Sequence, residues 1–190
     1  MAAAPSDPVR VWRKLAQMNR LANHRLHRAC PRLSDAEYGA ARAGFFPSIR
    51  QTLNHILLVD RFYISALEGG RFDRNELDAA SALTRLEELA ECQAACDARL
   101  LALVGGLAAS DLARIVVIDR GDHQQRDRLD DLLSHLFQHQ THHRGQVHAM
   151  LASTSVPPPQ LDEFILADDA AARAPDMAAL GWTEAALMED

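Results

Sequence analysis

Five of the nine histidines in this 190-residue chain lie between His135 and His148. The apolar spacing of this stretch predicts one amphipathic helix. Within it, His139 and His143 are four residues apart, so their imidazoles project from the same helix face about one turn apart. Two imidazoles at this spacing are close enough to bind one divalent metal ion.

A third ligand decides whether this pair is a metal site, because a lone His-x3-His pair is common. The candidates outside the histidine-rich stretch are His24, His27, His55 and His123. Only His55 lies well inside a segment predicted to be buried, where an unpartnered imidazole would cost roughly 1 to 3 kcal/mol. Either His55 bonds a neighbouring side chain or carbonyl, as a single buried histidine usually does, or it faces His139 and His143 and completes a three-nitrogen site.

The other histidines of the stretch point elsewhere on a helix. His135 is turned by about 40° from His139, so it either lines a pocket or forms an ordinary interhelix hydrogen bond. His142 is turned by about 100° from His143, and we predict a structural role for it. His148, with His24 and His27, is predicted to lie at the surface or its boundary.

Three further polar residues near the candidate site are predicted to be structural. Arg144 and Gln146 follow the histidine pair and are interpreted as hydrogen-bond donors. Asp60 comes five residues after His55, so it does not share the face of that histidine. A capping or interhelix role is therefore predicted for Asp60.

Composition limits the class of protein. With 48% hydrophobic residues in 190, the chain can bury one core and is predicted to be a single domain. The net charge is −6 and the basic residues are scattered, which argues against a nucleic-acid partner. We expect a cytoplasmic protein without membrane contact, because neither a leader pattern nor a spanning apolar stretch is found. Cys30, Cys92 and Cys96 suggest buried thiols rather than disulfides or a zinc site.

Four segments with helical periodicity predict an all-α fold, a four-helix bundle. The second helix carries apolar residues over much of its circumference and should be the most buried. The predicted segments run from about Asp7, as a cap before Pro8, to Cys30; from near Pro47 to Gly69; from a cap at Ser81 or Thr84 to Gly105; and from about Arg126 to Ala152.

Shorter features complete the predicted organisation. The β-branched run after Arg114, ending at Gly121, predicts a short strand or hairpin before the fourth helix. The stretch from Leu161 to Leu166 is predicted to add a helical turn or two. We assign residues 1–167 to the bundle domain and residues 168–190 to a C-terminal tail, either packed or loosely ordered.

Several motifs resemble the DinB-like (damage-inducible DinB/YfiT) family of metalloenzymes, over about residues 10 to 166. The matching stretches are Met18-Asn-Arg-Leu-Ala-Asn23, Leu33-Ser-Asp-Ala-Glu-Tyr38, the run from Phe46 to Asp60, and above all the run from His135 to Gln146. The resemblance implies a four-helix bundle, often dimeric, with a metal held by one histidine of the second helix and a His-x3-His pair of the fourth. By position, these ligands are His55, His139 and His143.

Three histidine ligands would leave open positions on the ion for water or substrate. Because the ligands are neutral, the ion keeps its full charge and lowers the pKa of a bound water or thiol. Zinc or nickel suits imidazole ligands, while iron, cobalt and manganese remain open. The resemblance implies a low-molecular-weight thiol cofactor in transferase or isomerase reactions, so the first hypothesis is a metal-dependent enzyme acting on a small electrophile.

A second hypothesis is a non-catalytic, stress-associated bundle in which the metal stabilises the fold or a homodimer. No acidic residue beside the ligand motif offers an unmistakable general base, and His139-Gln-Thr-His-His143 lacks the glutamate of a His-Glu-x-x-His hydrolase. A third hypothesis is a helical bundle whose imidazoles serve only as hydrogen-bond partners in the core. A homodimer is expected if an apolar helix face remains outside the bundle core.

Overall fold

Four long helices dominate the computed structural model, which describes residues 7–70, 83–162 and 166–189. In chain order the helices and strands are α1 (Arg10–Ala29), α2 (Asp35–Gly39), α3 (Ile49–Leu67), α4 (Leu86–Gly105), β1 (Ile115–Asp119), β2 (Gln124–Arg128), α5 (Leu129–Leu151), α6 (Ala170–Leu180) and α7 (Glu184–Glu189). Both α1 and α3 pack against α4 and α5. The predicted four-helix bundle is confirmed. None of the described helices combines the length and apolar character needed to cross a membrane.

The first long helix is shorter than predicted at both ends. The carboxylate of Asp7 accepts a hydrogen bond from the Val9 amide at 2.9 Å, which closes a turn before the helix and leaves Arg10 as the first helical residue. At the other end, the chain tightens after Ala29 into a 3₁₀ turn over Cys30–Arg32. Asp7 therefore stabilises the turn that precedes α1 and is not the N-cap residue of the helix.

The second long helix, α3, begins where a hydroxyl side chain can cap it. The Ser48 side chain accepts a hydrogen bond from the Gln51 amide at 3.2 Å. More than half of the α3 residues are buried, a larger share than in the other three long helices, as predicted. The connector before it contains α2, a helix that the sequence analysis did not predict. A capping box formed by Ser34 and Glu37 starts it.

The starts of α4 and α5 also differ from prediction. Arg85, not Thr84, occupies the N-cap of α4, and it makes no side-chain cap hydrogen bond; the alternative cap Ser81 lies outside the described residues. Arg126 is not helical because it pairs with Val117 in the hairpin, and α5 begins only at Leu129. Because of this strand pairing, α5 begins three residues later than predicted.

The predicted hairpin is present as an antiparallel pair of β1 and β2. Val116 and Ile118 of β1 are buried while its other residues are exposed, so one face of the strand packs on the bundle. Gly121 in the turn has a φ of 92°, which favours glycine. The hairpin leads directly into α5, and it fixes where the histidine-bearing helix begins.

The C-terminal residues form two helices that contact α1. Leu161 and Asp162 are not helical, so the predicted helical turns are wrong there; residues 163–165 lie outside the described chain. Met177 of α6 and Leu187 of α7 pack against Leu21 and Ala22. The guanidinium of Arg25 also donates to the Asp176 carboxylate at 2.7 Å.

A buried polar network lies inside the bundle, with members on all four long helices. Its members are Asn19, Asn23, Asp60, Gln93, Asp97, Gln140 and Arg144, each more than nine-tenths buried. Asp97 Oδ1 accepts hydrogen bonds from the amides of Asn23 at 2.8 Å and Asn19 at 3.2 Å. Gln93 Nε2 donates to Asp60 Oδ2 at 2.6 Å. Asp60 therefore links α3 to α4, the interhelix role predicted for it.

The two carboxyl groups of this network both have raised pKa values. Burial raises the pKa of Asp60 well above its ordinary value, and the neighbouring Asp97 raises it as well. Burial also raises the pKa of Asp97, to about 6, against hydrogen bonds and the nearby Arg20 that favour its charged form. Burial thus favours the protonated form of both groups, and the opposing interactions limit the shift of Asp97.

Replacing Asp60 with Asn should stabilise the protein more at pH 8 than at pH 5. The folded-state pKa lies above the unfolded value of about 3.9, so the folded wild type retains a proton that the unfolded chain releases, and its stability falls as the pH rises. Asn does not titrate, and its carbonyl can still accept from Gln93. Urea unfolding of both proteins at the two pH values measures the difference.

Asp130→Asn is the matched control. Arg128 lowers the pKa of Asp130, so this carboxylate is ionised in the folded and the unfolded chain at both pH values, and the effect of its replacement should not change between pH 5 and pH 8. A stability difference between wild type and Asp60→Asn that does not change with pH would contradict the raised pKa of Asp60.

Candidate metal centre

Three histidines from two packed helices meet at one point of the bundle. His55 lies on α3, and His139 and His143 lie on α5. One nitrogen of each ring lies within 4.8 Å of the other two, and the ring centroids are 4.4 to 4.9 Å apart. The structure thus brings together the residues predicted as a three-histidine site.

The distances fit a shared cation. His55 Nε2 lies 2.9 Å from His139 Nε2. Imidazole nitrogens bind zinc at about 2.0–2.1 Å, so two of them on one ion lie roughly 3 Å apart. The donor set is also suitable, since neutral imidazoles are ligands for several divalent metals. The group formed by His55, His139 and His143 could therefore hold a metal ion.

Burial keeps these imidazoles in the uncharged form that a metal requires. Together with the neighbouring His143, it lowers the pKa of His55 to about 4 and that of His139 to about 3. Burial lowers the pKa of His143 as well. At neutral pH, each ring therefore carries one nitrogen with a free lone pair.

Gln146 determines which nitrogen of His143 is free. The Gln146 side-chain carbonyl lies 2.8 Å from His143 Nδ1 and can only accept, so Nδ1 carries the proton and Nε2 does not. The amide group of Gln146 is 3.1 Å from His142 Nε2 and donates to it. The sequence predicted Gln146 only as a hydrogen-bond donor. In the structure its side-chain carbonyl also accepts from His143 and so orients a candidate ligand.

His139 is held without such a partner. Its Nδ1 is buried and has no hydrogen-bond partner among the described residues. The ring instead packs among the rings of His55, His143 and His135, the last with its centroid at 6.2 Å. Ring packing and the contact of Nε2 with His55 at 2.9 Å therefore fix this ring, with no hydrogen bond at Nδ1 from a described residue.

Two aromatic rings form one wall of the site, and the sequence analysis did not assign them to it. The Phe46 ring centroid lies 4.3 Å from that of His55 and 5.7 Å from that of His143. Phe45 packs edge-on against Phe46 at 4.9 Å while remaining 77% exposed. The only sequence signal was their position just before the start of α3, nine and ten residues before His55.

The other histidines lie outside the group. His135 is exposed, with its ring 5.1 Å from the Tyr63 ring at the edge of the site, and His142 is exposed beside Gln146. His24 lies on α1, 3.8 Å from the Asp176 carboxylate. His148 is partly buried and lines a cavity on another face of α5.

The chain is thus a four-helix bundle in which two helices bring together three histidines that could hold a metal ion. A profile of the DinB family matches residues 6–177, and the chain belongs to this family. The crystal structure of a DinB-like protein from Bacillus cereus ATCC 10987 has a similar fold, with a TM-score of 0.57 and 15% sequence identity over 73% of this chain and 89% of that one. No curated protein matches the chain.

In the metal-free protein, the His55 and His139 imidazoles should stay neutral as the pH falls from 7 to 5. Their folded-state pKa values of about 4 and about 3 lie below the ordinary value of 6.5 because burial disfavours the charged ring. The imidazole carbon and proton chemical shifts, followed by NMR through a pH titration, report this directly.

His143→Gln removes a neighbouring ring that becomes charged in acid, so it should raise both pKa values while leaving them below 6.5. A midpoint near 6.5 for either ring in the wild type would show that the rings are hydrated and not packed as described.

Proposed function

We propose that this protein binds one divalent cation through His55, His139 and His143 and uses it to activate a low-molecular-weight thiol, or water, for attack on a small electrophile. The observation that carries the proposal is the convergence of three ring nitrogens within 4.8 Å, one from α3 and two from α5. Membership of the DinB family is compatible with metal binding.

The ligand set favours an open site over a closed one. Structural zinc sites usually have four protein ligands, whereas three protein ligands leave a position for an exchangeable group. The group contains three imidazoles and, within the described part of the chain, no carboxylate or thiolate. When bound, a divalent ion would lower the pKa of a ligated thiol or water and so supply a nucleophile near neutral pH.

The residues around the imidazoles support this chemistry by positioning and by excluding water. Gln146 holds the proton on Nδ1 of His143 and keeps Nε2 available. Phe46 covers the side of His55 and His143, which limits the access of water to that side. The exposed ring of Phe45 offers an apolar surface to the organic part of a substrate.

Zinc or nickel is the proposed ion, with iron, cobalt or manganese as alternatives, since imidazole nitrogen suits all of them. The cytoplasmic location and the homodimer predicted from the sequence belong to the same proposal. The substrate is a small molecule rather than nucleic acid or a membrane lipid, which agrees with the net charge of −6.

A second candidate function is a non-catalytic metal-binding bundle. It is favoured by the absence of a carboxylate general base from the histidine group, as far as the described residues extend. In that case the ion would cross-link α3 to α5 and raise the unfolding temperature without accelerating any reaction.

Removing one ligand should abolish stoichiometric metal binding. His55→Gln leaves two nitrogens on a single helix, so we expect zinc affinity to fall about 100-fold or more, and Gln146→Leu should lower it by about 10-fold to 100-fold. Competition with a chromophoric chelator measures the affinity, and elemental analysis after dialysis measures the metal per chain.

His135→Gln is the matched control for metal binding. This exposed histidine lies one turn before His139 and outside the group, so its replacement should change the affinity by less than about twofold. Full occupancy in His55→Gln would overturn the ligand assignment.

The metal-loaded protein should accelerate the reaction of a small thiol with a model electrophile such as 1-chloro-2,4-dinitrobenzene by about tenfold or more over the metal-free protein. The gain should be absent in His55→Gln and present in His135→Gln. Absorbance of the thioether product gives the rate for each member of a thiol panel. A raised unfolding temperature with no acceleration for any thiol or for ester hydrolysis would support the non-catalytic candidate instead.

A further inference from the structure

A cavity lies on the side of α5 opposite the three histidines. It has a volume of about 410 Å³ and lies between α1, α5 and the segment around Leu161. From α5 it is lined by Arg144, Gly145 and His148, among others. On a helix with about 100° per residue, these positions face roughly away from His139 and His143. The cavity is therefore separate from the candidate metal centre.

The cavity combines apolar walls with one buried cation. Met18, Ala22 and Leu161 contribute apolar surface. Arg144 also lines the cavity although its side chain is only 8% exposed. The hydrogen bonds that Arg144 makes to described residues are all donated by Nη1. Their acceptors are the side-chain oxygens of Asn19, Asn23 and Gln140. Nε and Nη2 make no hydrogen bond to a described residue, and neither is among the fully buried partnerless atoms, so both retain accessible surface on a side chain that lines the cavity.

Two carboxyl groups of the network lie near Arg144. Arg144 and Arg20 both interact with the Asp97 carboxylate, Arg20 at 3.3 Å, and Arg144 also interacts with Asp60. Burial raises the pKa of both carboxyl groups and so weakens the negative charge that they set against the two guanidinium charges. Asp162 is exposed at the rim of the cavity and therefore compensates little of this charge.

Gly145 lines the cavity without a side chain. It lies in the interior of α5, where glycine costs about 0.5–1 kcal/mol relative to alanine. A Cβ atom placed there would meet nothing within 4 Å, so no contact in the described chain requires the absence of a side chain. A larger side chain at this position would therefore have room to occupy part of the cavity.

We propose that this cavity binds a free small molecule that carries one carboxylate on an aliphatic body. The carboxylate accepts hydrogen bonds from Nε and Nη2 of Arg144, the planar fork that suits a carboxylate best. The aliphatic body lies beside Gly145 and along Met18, Ala22 and Leu161. The cavity volume falls within the range of small-molecule sites, about 300–1,000 Å³.

Decanoate is the probe, with decanol as the uncharged analogue, and calorimetry of the full-length metal-loaded protein measures both affinities. We expect decanoate to bind about tenfold or more tightly than decanol. Gly145→Leu projects a side chain into the cavity and should weaken decanoate binding about tenfold or more. Gly145→Ala adds only a Cβ atom and should change the affinity by less than about threefold.

These variants avoid Arg144 itself, whose replacement would break its hydrogen bonds to Asn19 and Asn23 and risk unfolding the core. Circular dichroism and the metal content verify that each Gly145 variant is folded. The proposal is overturned if decanol binds as tightly as decanoate, if Gly145→Leu binds decanoate like wild type, or if decanoate does not bind at millimolar concentration. The metal content is a separate readout, so none of these results bears on the metal-centre proposal.

Discussion

The packing of α3 against α5 is the contact on which the candidate metal centre depends. His55 comes from one helix and His139 with His143 from the other, and no ring nitrogen of α3 could approach theirs if the helices slid or rotated. Both helices contribute almost fully buried apolar side chains to the core, including Ile56 and Leu57 of α3 and Leu136 of α5. A rotation of α3 by one residue position, about 100°, would expose these apolar groups and remove His55 from the site. The buried apolar side chains and the three histidines therefore require the same rotation of α3 against α5.

The polar network supplies the complementary constraint from α1 and α4. Buried amides and carboxyl groups are costly unless they find partners, so their pairing selects one arrangement of the four helices. Arg144 directly follows His143, and its bonds to Asn19 and Asn23 hold the rotation of α5 relative to α1. One helix thus presents neutral imidazoles to α3 and a guanidinium to α1. The neutral imidazoles and the buried polar network therefore lie on different sides of α5.

Local patterns predicted what depends on local spacing. The four-residue interval between His139 and His143 fixes a shared face in any helix, and an imidazole in the apolar run around His55 needs a partner. The start of α5 was missed because strand pairing of Arg126 overrides helical periodicity. The aromatic wall was missed for a related reason, since the approach of Phe46 to His55 depends on how the connector folds back over the bundle. Register and loop path are tertiary properties, which no single segment encodes.

The composition of the histidine group bears on which nucleophile it can activate. A neighbouring carboxylate would raise the pKa of an imidazole. Burial, unopposed by a carboxylate within the group, therefore keeps the rings neutral far into the acid range. In the described part of the chain, the same absence leaves no side chain of the group to remove a proton from the nucleophile. The ion alone would then have to supply the required pKa shift. The ordinary pKa of a thiol is about 8.5, whereas that of free water is far higher, so water needs the larger shift. The smaller shift favours a thiol as the bound nucleophile in the proposed reaction.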